Sequence, residues 1–199
     1  RLSVLSAEAP INQPLITDGT AYFQLQEEMK GAFEATVLDL PRNMLVQYPH
    51  MVHDAHVAVV VSNLTLAATR DAIRVLAWLK SNAPQTKVIM VANQVPSGGG
   101  LEISLKDFQD SVERKVDVQF GYDPKVAAQA AKLGKPMAEV ASGKAAAPFS
   151  QLCNMVLSHA TEEGAGDAAK AAAIASAQSK SLMTSLKGLI AKQPKKAAA

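Results

Sequence analysis

His56-Val57-Ala58-Val59-Val60-Val61-Ser62 decides the fold class. Its apolar residues run without a break. A strand with one wet face alternates apolar and polar side chains. A continuous run marks a strand covered on both faces, the pattern of a parallel sheet clothed by helices. Residues 65–81 come next, where Leu66, Thr69, Ile73, Leu76 and Ala77 recur at helical spacing. A second apolar run, residues 87–95, stays apolar until Asn93. Strand, helix and strand joined by a crossover of this length imply a parallel, right-handed unit.

The alternation extends in both directions. Upstream, residues 2–7 predict a short strand and residues 20–30 a helix, with Phe23, Leu25 and Met29 apolar and Gly31 as its stop. Ala35-Thr36-Val37-Leu38-Asp39-Leu40 predicts a strand that Pro41 breaks, and residues 43–52 a short helix or turn. Downstream, Ser104 and Asp107 sit at capping positions of a helix over 104–113. Residues 116–120 predict a fifth strand. Pro124 opens a helix that Gly134 stops, and 148–160 is the last helix of the body. The expected fold is α/β: a mostly parallel, doubly wound sheet with helices on both faces over residues 1–160. An Ala/Gly-rich linker over 161–179 and a basic amphipathic tail over 180–199 complete the chain. Opening on Arg1 and directly on a strand pattern, it reads as the C-terminal part of a longer protein.

Composition sets further bounds. Of the 199 residues 48% are hydrophobic but only 5% aromatic, so Val, Leu, Ile, Met and Ala must fill the core. The single cysteine, Cys153, excludes an internal disulfide and a cysteine-based zinc cluster, and suits a reducing, cytoplasmic setting. A net charge of +2 argues against a general nucleic-acid binder. The charge is uneven: from Lys170 onward there are six lysines and no acidic residue.

Three of the expected strands end in polar residues: Asp39, Asn93, and Asp123-Pro124 after Tyr122. In an open parallel sheet such ends gather along one edge, where ligands bind. A lone carboxylate there either caps the next helix or holds a magnesium ion, directly or through water. An amide such as Asn93 either starts a turn or reads a purine edge with its donor and acceptor.

Four stretches carry a family resemblance. Phe33 to Pro41 resembles the second switch of the MinD/ParA group of P-loop ATPases, with an aromatic residue, a strand, then Asp and Pro. Asp54 to Val61 with Leu64 to Ala72 resembles that group's next strand and helix. Val88 to Val95 resembles the strand whose Asn contacts adenine, and Tyr122 to Pro136 its closing adenine loop and helix. Asp39-Leu40-Pro41-Arg42 is most similar to the pilus-assembly branch called CpaE or TadZ. The resemblance covers residues 1 to about 158. It implies a P-loop NTPase-like fold with ATP and magnesium as cofactors. Asp39 would be the catalytic and metal-sensing residue, Asn93, Tyr122, Asp123 and Pro124 the adenine seat, and Pro41 and Arg42 the switch or partner contact. It further implies a nucleotide-dependent homodimer that marks the site of Flp/Tad-type pilus assembly with secretion partners, at the inner membrane or a cell pole. Two other functions fit the same residues: a partition or cell-division positioning ATPase, and a non-catalytic scaffold with a degenerate nucleotide site.

The departures bear on activity. No Gly-x-x-x-x-Gly-Lys-[Ser/Thr] occurs, and Gly98-Gly99-Gly100 is followed by Leu101-Glu102 with no lysine or hydroxyl in place. Arg42 and Asn43 stand where the group usually has a small residue and Gly. The resemblance therefore implies an ATPase in the full-length protein and an inactive chain in isolation.

His50, His53 and His56 are spaced by three, but Pro49 precedes them and His56 begins a strand, which argues against a shared metal. Arg70, Asp71 and Arg74 form either a solvated helix face or a partner surface. In the tail, Leu182, Met183, Leu186, Leu189 and Ile190 fall within an arc of roughly 120° at helical spacing, with Lys180, Lys187 and Lys192 outside it. That pattern suits an anionic membrane surface or a partner protein. Co-sedimentation with anionic vesicles checks the membrane role: the whole chain is expected to pellet, and a chain ending at 179 is not. Undiminished pelleting of the truncated chain would rule it out.

Overall fold

A computed structural model describes residues 3–6, 12 and 18–164. Among the described residues the sheet has three parallel strands in the order β1-β2-β3: β1 Val57–Ser62, β2 Lys87–Val95 and β3 Val118–Gly121. The helices are α1 Gly19–Ala32, α2 Arg42–Gln47, α3 His50–His53, α4 Leu66–Asn82, α5 Leu105–Val112, α6 Pro124–Leu133, α7 Met137–Val140 and α8 Ala147–Gly164. None of them is long and apolar enough to cross a membrane.

β2 occupies the centre and is covered on both faces. Its even residues Met90 and Ala92 join Leu64, Ala72, Phe108 and Val112, beneath α4 and α5. Its odd residues Ile89 and Val91 join Val118, against Leu152, Met155 and Val156 of α8. The period of two in a strand, set against helices on either side, turns one unbroken apolar run into two cores. A third cluster, Val52, Leu79 and Ala83, lies under α2 and α3 and is flanked by Leu40, Leu45 and Trp78.

The helices start where their sequences provide caps. Thr65 Oγ1 accepts the Ala68 amide at 3.2 Å ahead of α4, and Ser104 Oγ accepts the Asp107 amide at 3.1 Å ahead of α5. Gly134, with φ of 60°, ends α6 in the left-handed conformation that glycine adopts without strain. Gly31 does not stop α1, which continues to Ala32 and closes on Phe33.

Two sequence expectations about the sheet are corrected. The segment 35–40 forms no strand and pairs with none among the described residues; Val37 is 92% exposed. Residues 3–6 are likewise outside the sheet, with Val4 and Leu5 exposed. Strand propensity becomes a strand only when a neighbour completes the ladder of hydrogen bonds. β1 is covered on both faces only at its start, where Val57 packs with Ile89, Val91 and Val118. Ala58 and Val60 pack inward, whereas Val59 and Val61 stay exposed. The residues expected to form the linker and the tail helix, from Leu182 to Ile190, lie outside the described residues.

Phe108 is completely buried between α4 and β2. Truncating an aromatic ring at such a site leaves a cavity. Phe108→Ala is expected to cost about 3–5 kcal/mol of stability, read as a shift of the urea unfolding midpoint.

Candidate functional site at the carboxyl edge of the sheet

Because the three strands are parallel, their carboxyl ends share one edge. β1 delivers Ser62 and Asn63, β2 delivers Asn93 and Gln94, and β3 delivers Tyr122 and Asp123. The amide of Tyr122 donates to the Val95 carbonyl at 2.8 Å, which fixes the β3 loop beside the end of β2.

Asn93 is not the end of its strand, since β2 continues to Val95. It stands at a bulge. From Ala92 to Val95 is three residue steps, whereas the paired residues Gln119 to Gly121 span two. One extra residue on β2 bends the strand and re-aims its side chains, an irregularity common beside binding sites. Gln94 takes the left-handed conformation with φ of 55°, a costly choice for a residue with a Cβ. Its amide donates to Asn93 Oδ1 at 2.9 Å. This bond fixes the plane of the Asn93 amide, and the Nδ2 hydrogens make no hydrogen bond among the described residues.

Asp123 is the N-cap of α6. Its Oδ1 accepts the Val126 amide at 3.0 Å, and Pro124 occupies the first helical position. Tyr122 is exposed.

Asp39 is exposed and has no hydrogen-bond or ionic partner among the described residues. It belongs to a segment whose downstream end is anchored. Leu40 packs beside Val52 and Leu79, Pro41 caps α2 with extended backbone, and Arg42 pairs through Nη1 with Asp71 Oδ1 on α4. Arg74 Nη1 lies 3.7 Å from the same oxygen. A cleft of about 460 Å³ opens here, lined by Arg42, Ser62, Asn63 and Asp71 over the apolar floor of Val60, Ala72 and Val75. The carboxyl edge therefore has two ends: Asn93, Tyr122 and Asp123 together at β2 and β3, and the Pro41–Arg42 turn at β1. Neither the pairing of Arg42 with Asp71 nor the bulge at Asn93 was evident from residue order. The polar dipeptide Asn93-Gln94 inside an apolar strand was the available signal for the bulge; nothing in the sequence pointed to the ion pair.

The Asp39 carboxylate, unpartnered among the described residues, suits a hydrated magnesium ion. The free Nδ2 of Asn93 suits an acceptor on a heterocyclic base. The glycine loop carries Gly99 and Gly100 at φ of 91° and 85° and is exposed, without a lysine.

Displaced proton affinities lie elsewhere, on the surface between α1 and α3. Hydrogen bonding to Glu27 and Asp54 raises the pKa of Lys30, and bonding to His53 and Lys30 lowers that of Asp54. His53 is thus bound to Asp54, at 3.0 Å. His50 packs edge-on against Phe23 and Tyr48. No group of three metal-ligating side chains forms among the described residues.

The arrangement of strands and helices is similar to solved structures of MinD. The Aquifex aeolicus MinD cell division protein superposes with a TM-score of 0.59 at 19% identity, covering 73% of this chain and 63% of that one. The chain shares the fold of the part of MinD that it covers. The MinC:MinD cell division complex from the same organism gives 0.60 at 19% identity, covering 72% and 60%. The septum site-determining protein MinD of Pyrococcus horikoshii, complexed with Mg-ADP, gives 0.57 at 19% identity, covering 70% and 56%. The chain thus spans less than two thirds of the length of these MinD structures. No protein-family model matches the sequence, and no curated protein matches it significantly.

The Asp123 cap gives a direct check on the β3 side of the edge. Asp123→Ala is expected to lower stability by about 1 kcal/mol and Asp123→Asn by much less, since the amide oxygen also caps. Urea unfolding of the two variants measures the difference.

Proposed function

We propose that this chain is the C-terminal part of a MinD/ParA-like ATPase, and that the carboxyl edge of its sheet is one wall of an ATP site. The observation that carries the reading is that the bulge at Asn93 on β2 neighbours the Tyr122-Asp123 loop after β3, at the carboxyl edge of a fold shared with MinD. In this reading Asn93, with its amide plane held by Gln94, selects the base. Tyr122 and the Asp123-Pro124 turn close over it. Asp39 would hold magnesium, directly or through water. ATP supplies the phosphoryl group; this chain's residues contribute binding and orientation at the base and the metal. The phosphate-binding amides and lysine would come from sequence outside these 199 residues.

The finer reading is the CpaE/TadZ type. There the protein works as a homodimer, localises Flp/Tad-type pilus assembly through secretion partners, and sits on the inner membrane or at a pole. Asp39-Leu40-Pro41-Arg42 supports it, because Arg42 stands where a small residue is usual in the wider group. The cell-division names of the similar structures favour the alternative of a division or partition positioning ATPase. The free Asp39 and the missing phosphate loop also suit a scaffold that binds nucleotide without turnover.

The 199-residue chain alone is expected to show no ATP hydrolysis, because it lacks the phosphate loop. Within the full-length protein, calorimetry with Mg-ATP is expected to show binding that Asn93→Ala weakens by about tenfold, the cost of one lost base contact. Turnover by the isolated chain, or unchanged binding in the variant, would refute this assignment. Loss of a polar or midcell focus on deletion of pilus-assembly genes or of division genes separates the two localisation roles.

A further inference from the structure

We propose that Asp71 is a positioning residue that holds the Asp39 turn against the sheet edge through Arg42. The proposal rests on the nucleotide-site reading for its functional meaning and on the ion cluster for its physics.

Between Phe33 and Leu40 the chain forms neither helix nor strand and is exposed, and Leu40 alone is partly buried. No ladder of backbone hydrogen bonds places Asp39. Its position is therefore set by the residues on its C-terminal side. Leu40 and Leu45 pack against the cluster of Val52, Leu79 and Ala83, and the Arg42 guanidinium reaches across to α4. The apolar contacts are not directional: they keep the turn on the protein and leave its lie over the edge open. The Arg42–Asp71 pair is directional. It crosses the mouth of the cleft whose other wall is Ser62 and Asn63 of β1. Arg74 approaches the same carboxylate oxygen, so Asp71 is shared by two cations on two helices.

Arg42 is 58% and Asp71 46% exposed. A pair this wet biases an equilibrium by about two- to fivefold and is weakened by salt. That is too little to staple a fold and enough to bias a turn between two placements. The bias also links the surface of α4 to Asp39, because any group that engages Asp71 competes with Arg42.

Hydrogen exchange on the intact 199-residue chain tests this without nucleotide. In Asp71→Asn, the amides of Met44 and Tyr48, which donate to the Pro41 and Met44 carbonyls in the segment that carries Arg42, are expected to exchange about two- to fivefold faster, with those of β2 unchanged. Arg42→Gln is expected to give the same increase, and the double variant no more than either, since one interaction is lost in each case. Raising the salt concentration should speed exchange at these amides in the wild type and leave the double variant flat. Additive effects, no increase in Asp71→Asn, or an increase spread through β2 would each overturn the proposal. Failure of Mg-ATP binding in the full-length protein would leave these exchange results untouched and would count against the nucleotide site alone.

Discussion

β2 is the constraint on which the rest depends. It is the described strand with a neighbour on either side and helices above and below, and four of its residues are almost fully buried. Its odd residues require α8 and its even residues require α4 and α5. Parallel pairing on both sides then forces all three strands to point the same way. Their polar ends collect at one edge as a consequence of burial, before any ligand is considered.

The same constraint explains why the edge is uneven. On the β3 side, every backbone direction is fixed by the ladder, the bulge at Asn93 and Gln94, and the bond from Tyr122 to Val95. On the β1 side the ladder ends. Val59 and Val61 lie exposed there, and the segment that carries Asp39 has no strand beside it among the described residues. Under the proposed nucleotide reading, the rigid side would hold the base, and Asp39 on the loosely held side would be free to follow the state of a phosphate.

Much of this was legible in residue order. The apolar runs at 57–61 and 88–92 and the cap Ser104 each act through neighbours a few positions away, and each has its expected element. The resemblance to MinD/ParA ATPases rested on four short stretches whose order and spacing agree, and the fold agrees with it at 19% identity. Expectations that need a distant partner were the ones that failed. Residues 3–6 and 35–40 have strand composition, yet no hydrogen-bonding neighbour completes them among the described residues. Gly31 looked like a stop, but a helix ends where its last carbonyls find other donors, and here that is at Phe33.

Residue order alone was enough for the class: parallel strands alternating with capped helices, with Asn93 and Asp123 near strand ends. These features come from period, propensity and capping, which are local. Tertiary packing settled which strand is central, that Asn93 sits on a bulge beside a strained Gln94, and that Arg42 finds Asp71 twenty-nine residues away. Those facts depend on packing geometry and on charges brought together across the fold, and no local pattern of residues encodes them.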